Sequence, residues 1–226
     1  MPAGTAVVAI WNDIVPSARA AFYDWHLHEH IPERVAIPGF RRGARYVATR
    51  KATAPQYFTL YEAASPQVLR GPDYAARLNA PTLVTRQVTA QFRDTVRAMA
   101  QVIESRGPGL GGMLLTVRFA APDRAAGALS ALLAAAATAP RVTGAHLCRT
   151  DTEGSGAATA ESRGRTDLRA PPGWFALVEA TDAAALTRLL PAARLVAAGA
   201  GEIVRGVYRL EYRREAPAPG AGDARA

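Results

Sequence analysis

One stretch of the chain gathers side chains that can move protons or hold a ligand: Tyr23-Asp24-Trp25-His26-Leu27-His28-Glu29-His30. Three of the four histidines in the sequence fall inside it, beside two carboxylates and two aromatic rings. Imidazole and carboxylate groups held within one helical turn are the tools of general acid–base catalysis. At about 100° per residue, Ala18, Ala21, Phe22, Trp25 and Glu29 share one stripe of a helix, and the large apolar members require that stripe to face a sheet. Glu29 is then expected among apolar neighbours, where an ionised carboxylate is costly unless paired. His26 lies at the edge of the stripe beside Glu29, with His30 and Tyr23 further round. Asp24, Leu27 and His28 point away, which makes His28 a solvated surface residue. Glu29, His30 and His26 are therefore the candidate catalytic groups. The competing reading is structural: Glu29 in a salt bridge or capping a neighbouring strand, and His30 bonded to a carbonyl near Pro38.

His26-Leu27-His28-Glu29-His30 also spells H-x-x-E-H, the inverted zinc-peptidase signature. His26 and His30 are one turn apart and suit a shared metal ion. That signature belongs to another fold, and no downstream acidic helix offers a third ligand, so no metal ligands are assigned. Further candidates for substrate binding are Trp25 and Tyr23 on the helix, Trp11 at the end of a strand with Asn12 and Asp13, and Arg45, Tyr46 and Tyr61 on adjacent strands. Each has a plainer reading as a core ring or a cross-strand pair. Cys148 has no activating base nearby in sequence, and His146 beside it reads as a strand residue. No Ser-His-Asp pattern and no nucleotide-binding loop is present.

The elements that must position these groups are written twice. Val7-Val8-Ala9-Ile10-Trp11 is echoed by Leu114-Leu115-Thr116-Val117-Arg118, and Phe58-Thr59-Leu60-Tyr61-Glu62-Ala63 by Phe175-Ala176-Leu177-Val178-Glu179-Ala180. Gly39 matches Gly144, and Val96-Arg97 matches Val204-Arg205. Each pair is separated by roughly the length of a small domain, so the repeat unit is a domain and not a solenoid turn. Each copy reads as strand, helix, strand, strand, helix, strand, the ferredoxin-like βαββαβ order. Where copy one carries the polar helix, copy two carries Leu132-Leu133-Ala134-Ala135-Ala136-Ala137. The expected division is a first unit over 1–105 and a linker over 106–112. The second unit follows over 113–215, and a disordered tail over 216–226. Copy two's second and third strands are separated by a long, small-residue-rich loop over 151–172, expected to be mobile. Each unit has one sheet face covered by helices and one bare apolar face. The fold expected is α+β, with the two sheets packed face to face within one chain.

Composition removes several classes. The net charge of +8 invites a nucleic-acid partner, but arginines are spread along the chain and Lys51 is the only lysine. That bias reflects sequence composition and not a phosphate-binding stripe. No apolar run reaches the roughly 20 residues that span a bilayer, so no membrane partner is expected. One cysteine and no basic leader point to a cytoplasmic protein.

Phe22-Tyr23-Asp24-Trp25, Glu29-His30-Ile31-Pro32-Glu33-Arg34, Ile37-Pro38-Gly39-Phe40 and Arg45-Tyr46 together resemble the dimeric α/β-barrel superfamily, in its EthD-like and stress-responsive branches. The likeness extends to Tyr74 and Leu78-Asn79-Ala80-Pro81-Thr82, covering nearly all of copy one and copy two only in outline. It implies ferredoxin-like units paired into a barrel, with a ligand cleft inside it or between sheet and helices. Where members of this branch commonly carry an aromatic or acidic residue, this chain has His26 and His28. The superfamily spans monooxygenases, isomerases, cyclases, haem enzymes and proteins without a reaction, so fold alone does not choose among them. The expectation is a small-molecule enzyme that uses acid–base chemistry without a cofactor on a hydrophobic or aromatic ligand. The alternatives are a non-catalytic ligand-binding or stress-related barrel, and a haem- or metal-binding barrel. A homodimer of the two-unit chain is a further possible partner state.

Overall fold

Alternation sets the strands. In β1 (Ala6–Ile14) the odd residues Val7, Ala9 and Trp11 join one apolar cluster, while Val8, Ile10 and Asn12 face the other way. A strand buried on both faces must lie between two packed layers. In the computed structural model, which describes residues 2–217, those layers are a barrel interior and an outer shell of helices.

The first half contributes β1, β2 (Phe40–Ala48), β3 (Tyr57–Ala63) and β4 (Phe92–Arg106). The second contributes β5 (Met113–Ala120), β6 (Val142–Thr150), β8 (Trp174–Ala180) and β9 (Gly201–Glu215), with the two-residue β7 (Leu168–Arg169) between. Each half has the same strand order, β4-β1-β3-β2 and β9-β5-β8-β6, all antiparallel. The outer strands of one half then pair with those of the other, β2 with β9 and β4 with β6. The result is a closed antiparallel eight-stranded barrel without a free sheet edge at either seam. β4 serves both halves: its first part pairs with β1 and its last residues, Ala100–Arg106, pair with β6. The expected boundary near residue 105 therefore falls inside a strand that belongs to both sheets.

The interior is filled. Trp11 is fully buried, 5.0 Å from Phe58 and 5.4 Å from Phe175, and its indole N–H donates to Thr116 Oγ1 at 3.1 Å. One ring thus joins strands of both halves. At one end His146 Nδ1 meets Ser105 Oγ at 2.9 Å, and Glu179 accepts from the Gly111 N–H at 2.8 Å, which ties the linker to the barrel.

Outside, the first half is covered by α1 (Arg19–Trp25), α2 (Ile31–Val35), α3 (Pro66–Arg70), α4 (Pro72–Asn79) and α5 (Leu83–Thr89). The second half is covered by α6 (Ala126–Ala137), α8 (Ala183–Thr187) and α9 (Ala192–Ala197), with α7 (Thr152–Gly156) in the long loop. The sequence reads Asp182–Ala198 as one helix, but the chain breaks at Leu190-Pro191, where Leu190 takes φ 48° and Pro191 cannot donate to a continuing helix. On this side Leu129, Leu133 and Ala136 of α6 meet Leu115, Val117 and Leu147 in one continuous apolar cluster. Small helix residues let the backbone settle directly on the sheet. Of the expected tail, Ala216 donates its N–H to Arg41 C=O, and residues 218–226 lie outside the described residues. No helix among the described residues is long and apolar enough to cross a membrane.

Because Trp11 packs on both halves, Trp11→Ala is expected to cost about 3–5 kcal/mol. Urea unfolding should stay a single transition with a lowered midpoint; two separated transitions would show that the halves unfold independently.

Candidate active site

The first helix is not regular. Between α1 and α2, His26–His30 forms a single π-turn, in which the Ile31 N–H reaches back five residues to the His26 C=O. Pro32 follows directly. A proline in a helix interior lacks an N–H and its ring clashes with the carbonyl four residues earlier, here His28, and a wider turn relieves both. The extra residue changes the phase of the helix. Phe22, Trp25, His26, His30, Ile31, Arg34 and Val35 are buried, while Glu29 is rotated off that face.

His26 and His30 are stacked, their planes 11° apart and centroids 5.6 Å apart, and Trp25 lies 4.1 Å from His30. Burial pushes both imidazoles well below their ordinary pKa, helped by Arg45 for His26 and by Arg34 for His30. Both are therefore neutral at neutral pH. Nδ1 of each ring is buried without a hydrogen-bond partner. An unsatisfied N–H is rarer in buried sites than an unsatisfied acceptor, which favours the proton on Nε2, the ring edge left to serve a ligand.

Both rings line a cavity of about 320 Å³ between the helix and the outer face of the sheet. Ile10 and Asn12 of β1, Thr59 of β3, and Thr95 and Arg97 of β4 form its floor; Trp25, Leu78, Thr89 and Phe92 form its sides. A bulge between β1 and β4 at Trp11/Asp13, with Asp94 at φ 48°, opens the sheet beside Asn12. Bulges of this kind re-aim side chains next to active sites. Asn12 Oδ1 is buried and unpartnered there.

The roof comes from the other half of the chain. The loop over 151–172, expected from the sequence to be mobile, is tied down across the cavity as a strap. The Thr95 N–H donates to the Asp167 carbonyl, and β7 pairs in parallel with the part of β4 that β6 does not reach. The Glu161 N–H donates to Leu78 C=O, the Ala160 N–H to Asn79 Oδ1, and Arg70 pairs with Asp151 at 2.8 Å. Buried Arg34, one turn beyond His30, donates to the Glu161 carboxylate on the strap. Ser155, Glu161, Arg165 and Leu168 thereby become cavity walls.

The structure brings together only part of the set that the sequence singles out. Trp25, His26 and His30 line the cavity. Glu29 does not: its Oε1 accepts from Thr82 and Thr85 hydroxyls, and Thr82 in turn caps α5, so Glu29 fastens the first helix to α5. This corrects its placement on the sheet-facing stripe, and the cause is the π-turn, which a uniform 100° period cannot contain. Trp11 and Tyr46 face the barrel interior, on the opposite side of the sheet from the cavity. Tyr61 is buried beneath Ile31 and His30, outside the cavity lining. Arg45 stacks on Tyr23 at 4.3 Å and pairs with Glu211, so Arg45 and Tyr23 form a separate polar knot at the start of the helix. The residues missed are Thr59, Thr95, Arg97, Glu161 and Arg165. For Glu161 and Arg165 the sequence signal was the insertion itself, present in one half and absent from the other; Thr59, Thr95 and Arg97 sit on β3 and β4, where alternation did not mark them. Among the described residues no group of three or more His, Cys, Asp or Glu side chains is placed to hold a metal ion. Two stacked imidazoles alone do not fit a metal centre with protein ligands only.

The sequence matches no family model, and no curated protein matches it. Solved structures do. An anthrone oxidase-like protein superposes with a TM-score of 0.63 at 12% identity, covering 94% of this chain and 93% of that one. A candidate monooxygenase from Lactobacillus acidophilus NCFM gives 0.55 at 7% identity, with 93% and 96% covered. A candidate chlorite dismutase gives 0.51 at 14%, with 92% and 96% covered. At these identities the likeness is one of fold. The chain has the dimeric α/β-barrel fold built from ferredoxin-like halves.

Two outcomes follow from this geometry. On unfolding, the neutral imidazoles regain a pKa near 6.5, so the unfolded chain binds more protons below that pH than the folded one. Stability should be full above about 6.5 and fall as the solution is acidified toward the lowered folded-state values. A His26→Gln/His30→Gln variant should flatten that part of the urea-stability profile; an unchanged slope means the rings titrate normally. Separately, Glu161→Ala leaves the Arg34 cation buried without its carboxylate. Trypsin should then cut after Arg163 or Arg165 several-fold faster than in the wild type, and equal cleavage rates would show that this pair does not hold the strap.

Proposed function

We propose that the protein is a small-molecule enzyme that binds a hydrophobic, oxygen-bearing aromatic compound in the roofed cavity and works on it by acid–base chemistry without an organic cofactor. The observation that carries this reading is the stacked pair of neutral histidines, both facing the cavity. The cavity has apolar surfaces at Ile10, Trp25, Leu78 and Phe92, polar groups Asn12, Thr59 and Thr95 on its floor, and a strap that brings charged groups to its roof. Concave, mostly apolar sites with a few convergent polar groups are where small ligands bind.

A neutral imidazole donating from Nε2 can polarise a carbonyl or phenol oxygen and exchange a proton with it as the charge of an enolate or phenolate develops. The residues proposed for this role are His26 and His30, with Trp25 as the stacking wall; Glu29 is proposed to position the helix that carries them. Exclusion of water by the strap strengthens each of these hydrogen bonds. Activated in this way, a carbon acid such as an anthrone can give up electrons to dioxygen, forming a quinone and water. The names of two structural neighbours favour oxygenation within the wider set of isomerase, cyclase, lyase or monooxygenase-like reactions. The proposal includes descent of the chain by tandem duplication and a cytoplasmic location.

The test is oxygen uptake with an anthrone. Wild-type protein should accelerate quinone formation, and His30→Gln or His26→Gln should lower the rate by on the order of a hundredfold or more while the ligand still binds. Glu29→Gln should retain most of the rate and lose stability instead. If anthrones and related keto-aromatics bind but are returned unchanged by the wild type, the non-catalytic binding barrel is the better reading.

A further inference from the structure

Four charged side chains line the cavity, and three of them are already neutralised. Glu161 is paired with Arg34, Arg165 with Asp167 at 2.7 Å, and Arg169 with Asp94 at 2.8 Å. Arg97 is different. Among the described residues it has no carboxylate partner; its guanidinium donates only to the Tyr74 hydroxyl at 2.9 Å. It is half-buried on β4, and it lines both the roofed cavity and a groove of about 420 Å³ outside it. Leu78, Ala157 and Thr159 are shared by the two spaces, so Arg97 stands at the opening where they meet. The histidines add no charge, because burial holds them neutral.

We infer that the ligand is an anion: an aromatic compound whose carboxylate or phenolate oxygen is held by Arg97 at the cavity mouth while its rings lie inward against Trp25 and the histidines. This rests on the reading that the cavity holds an aromatic ligand. A guanidinium with free N–H donors at a partly desolvated mouth is matched by a planar oxyanion, which it can hold through two parallel hydrogen bonds. The balance of lining charges leaves one positive charge for the ligand to complement. Anchoring at this end also fixes which oxygen meets the histidines, since a ligand held at the mouth presents its far end to them.

The experiment is calorimetric titration of the full chain at neutral pH with naphthoate and with its uncharged methyl ester. Wild-type protein should bind naphthoate more tightly by on the order of tenfold or more, the usual worth of a hydrogen bond to a charged group. Arg97→Met should lose that preference while keeping the affinity for the ester, and Arg97→Lys should keep part of it. The wild-type ratio needs no variant, and a thermal melt of Arg97→Met checks that it is folded. Equal affinities in the wild type would overturn the anion assignment and leave the aromatic cavity standing. A preference that survives in Arg97→Met would place the anion elsewhere, which also overturns it. Failure of both compounds to bind would overturn the cavity reading itself, and this inference with it.

Discussion

Everything in this molecule depends on edge pairing between its halves. A four-stranded ferredoxin-like sheet has two liabilities: a bare apolar face and two edges of unpaired backbone groups. Packing two such sheets face to face deals only with the first. Pairing β2 with β9 and β4 with β6 deals with both, and it demands long strands, which is why β4 and β9 each run to 15 residues. Such a strand serves its own sheet with one part and the partner sheet with the other. The interior then closes around Trp11, Phe58 and Phe175 with rings from both halves. The cavity that the histidines line accordingly lies outside the barrel, between sheet and helices.

The same pairing leaves an open strand edge beside the cavity. β6 covers β4 only from Ala100 onward, which leaves the outer edge of residues 92–99 without a partner from the barrel. The strap's β7 takes up that edge at Thr95 and Val96, and in doing so roofs the space beneath. Edge protection and cavity closure are one interaction. The insertion that the other half carries therefore both protects a strand edge and walls the cavity.

Much of the fold was legible in the sequence because strand alternation survives any packing detail: Val7, Ala9 and Trp11 in β1, and Phe58 and Leu60 in β3, fall on one face of each strand. The location of the cavity was legible through the contrast between Trp25, His26 and His30 in one half and alanines in the other. Which way each group points was legible only in part. Helical phase is cumulative, so one π-turn at His26–His30 was enough to exchange Glu29 for His30 on the inward face. The cue was Pro32, which marks a disturbed helix without stating how the disturbance resolves. Trp11 and Tyr46 failed differently. Alternation says that neighbouring residues face opposite sides, but both sides of these strands are buried, and pattern alone does not say which one holds the cavity. Arg97, Glu161 and Arg165 come together through the strap, a long-range contact with no periodicity to announce it.

Asymmetry between the halves has an energetic side. Keeping His26 and His30 neutral and buried has a folding cost, with Nδ1 of each ring left unsatisfied. So does the Arg34–Glu161 pair, whose desolvation its mutual attraction offsets only while the strap is closed. A barrel made from two identical subunits would incur those costs twice. In a single chain, the second half can carry the apolar α6 in that position, where Leu129, Leu133 and Ala136 pack on Leu115, Val117 and Leu147. The outer face of that half packs as one apolar cluster and its insertion supplies the roof, while the first half carries the π-turn and the buried His26 and His30. Within one covalent chain, the stable half and the costly half are held together, so neither has to be optimal for both tasks.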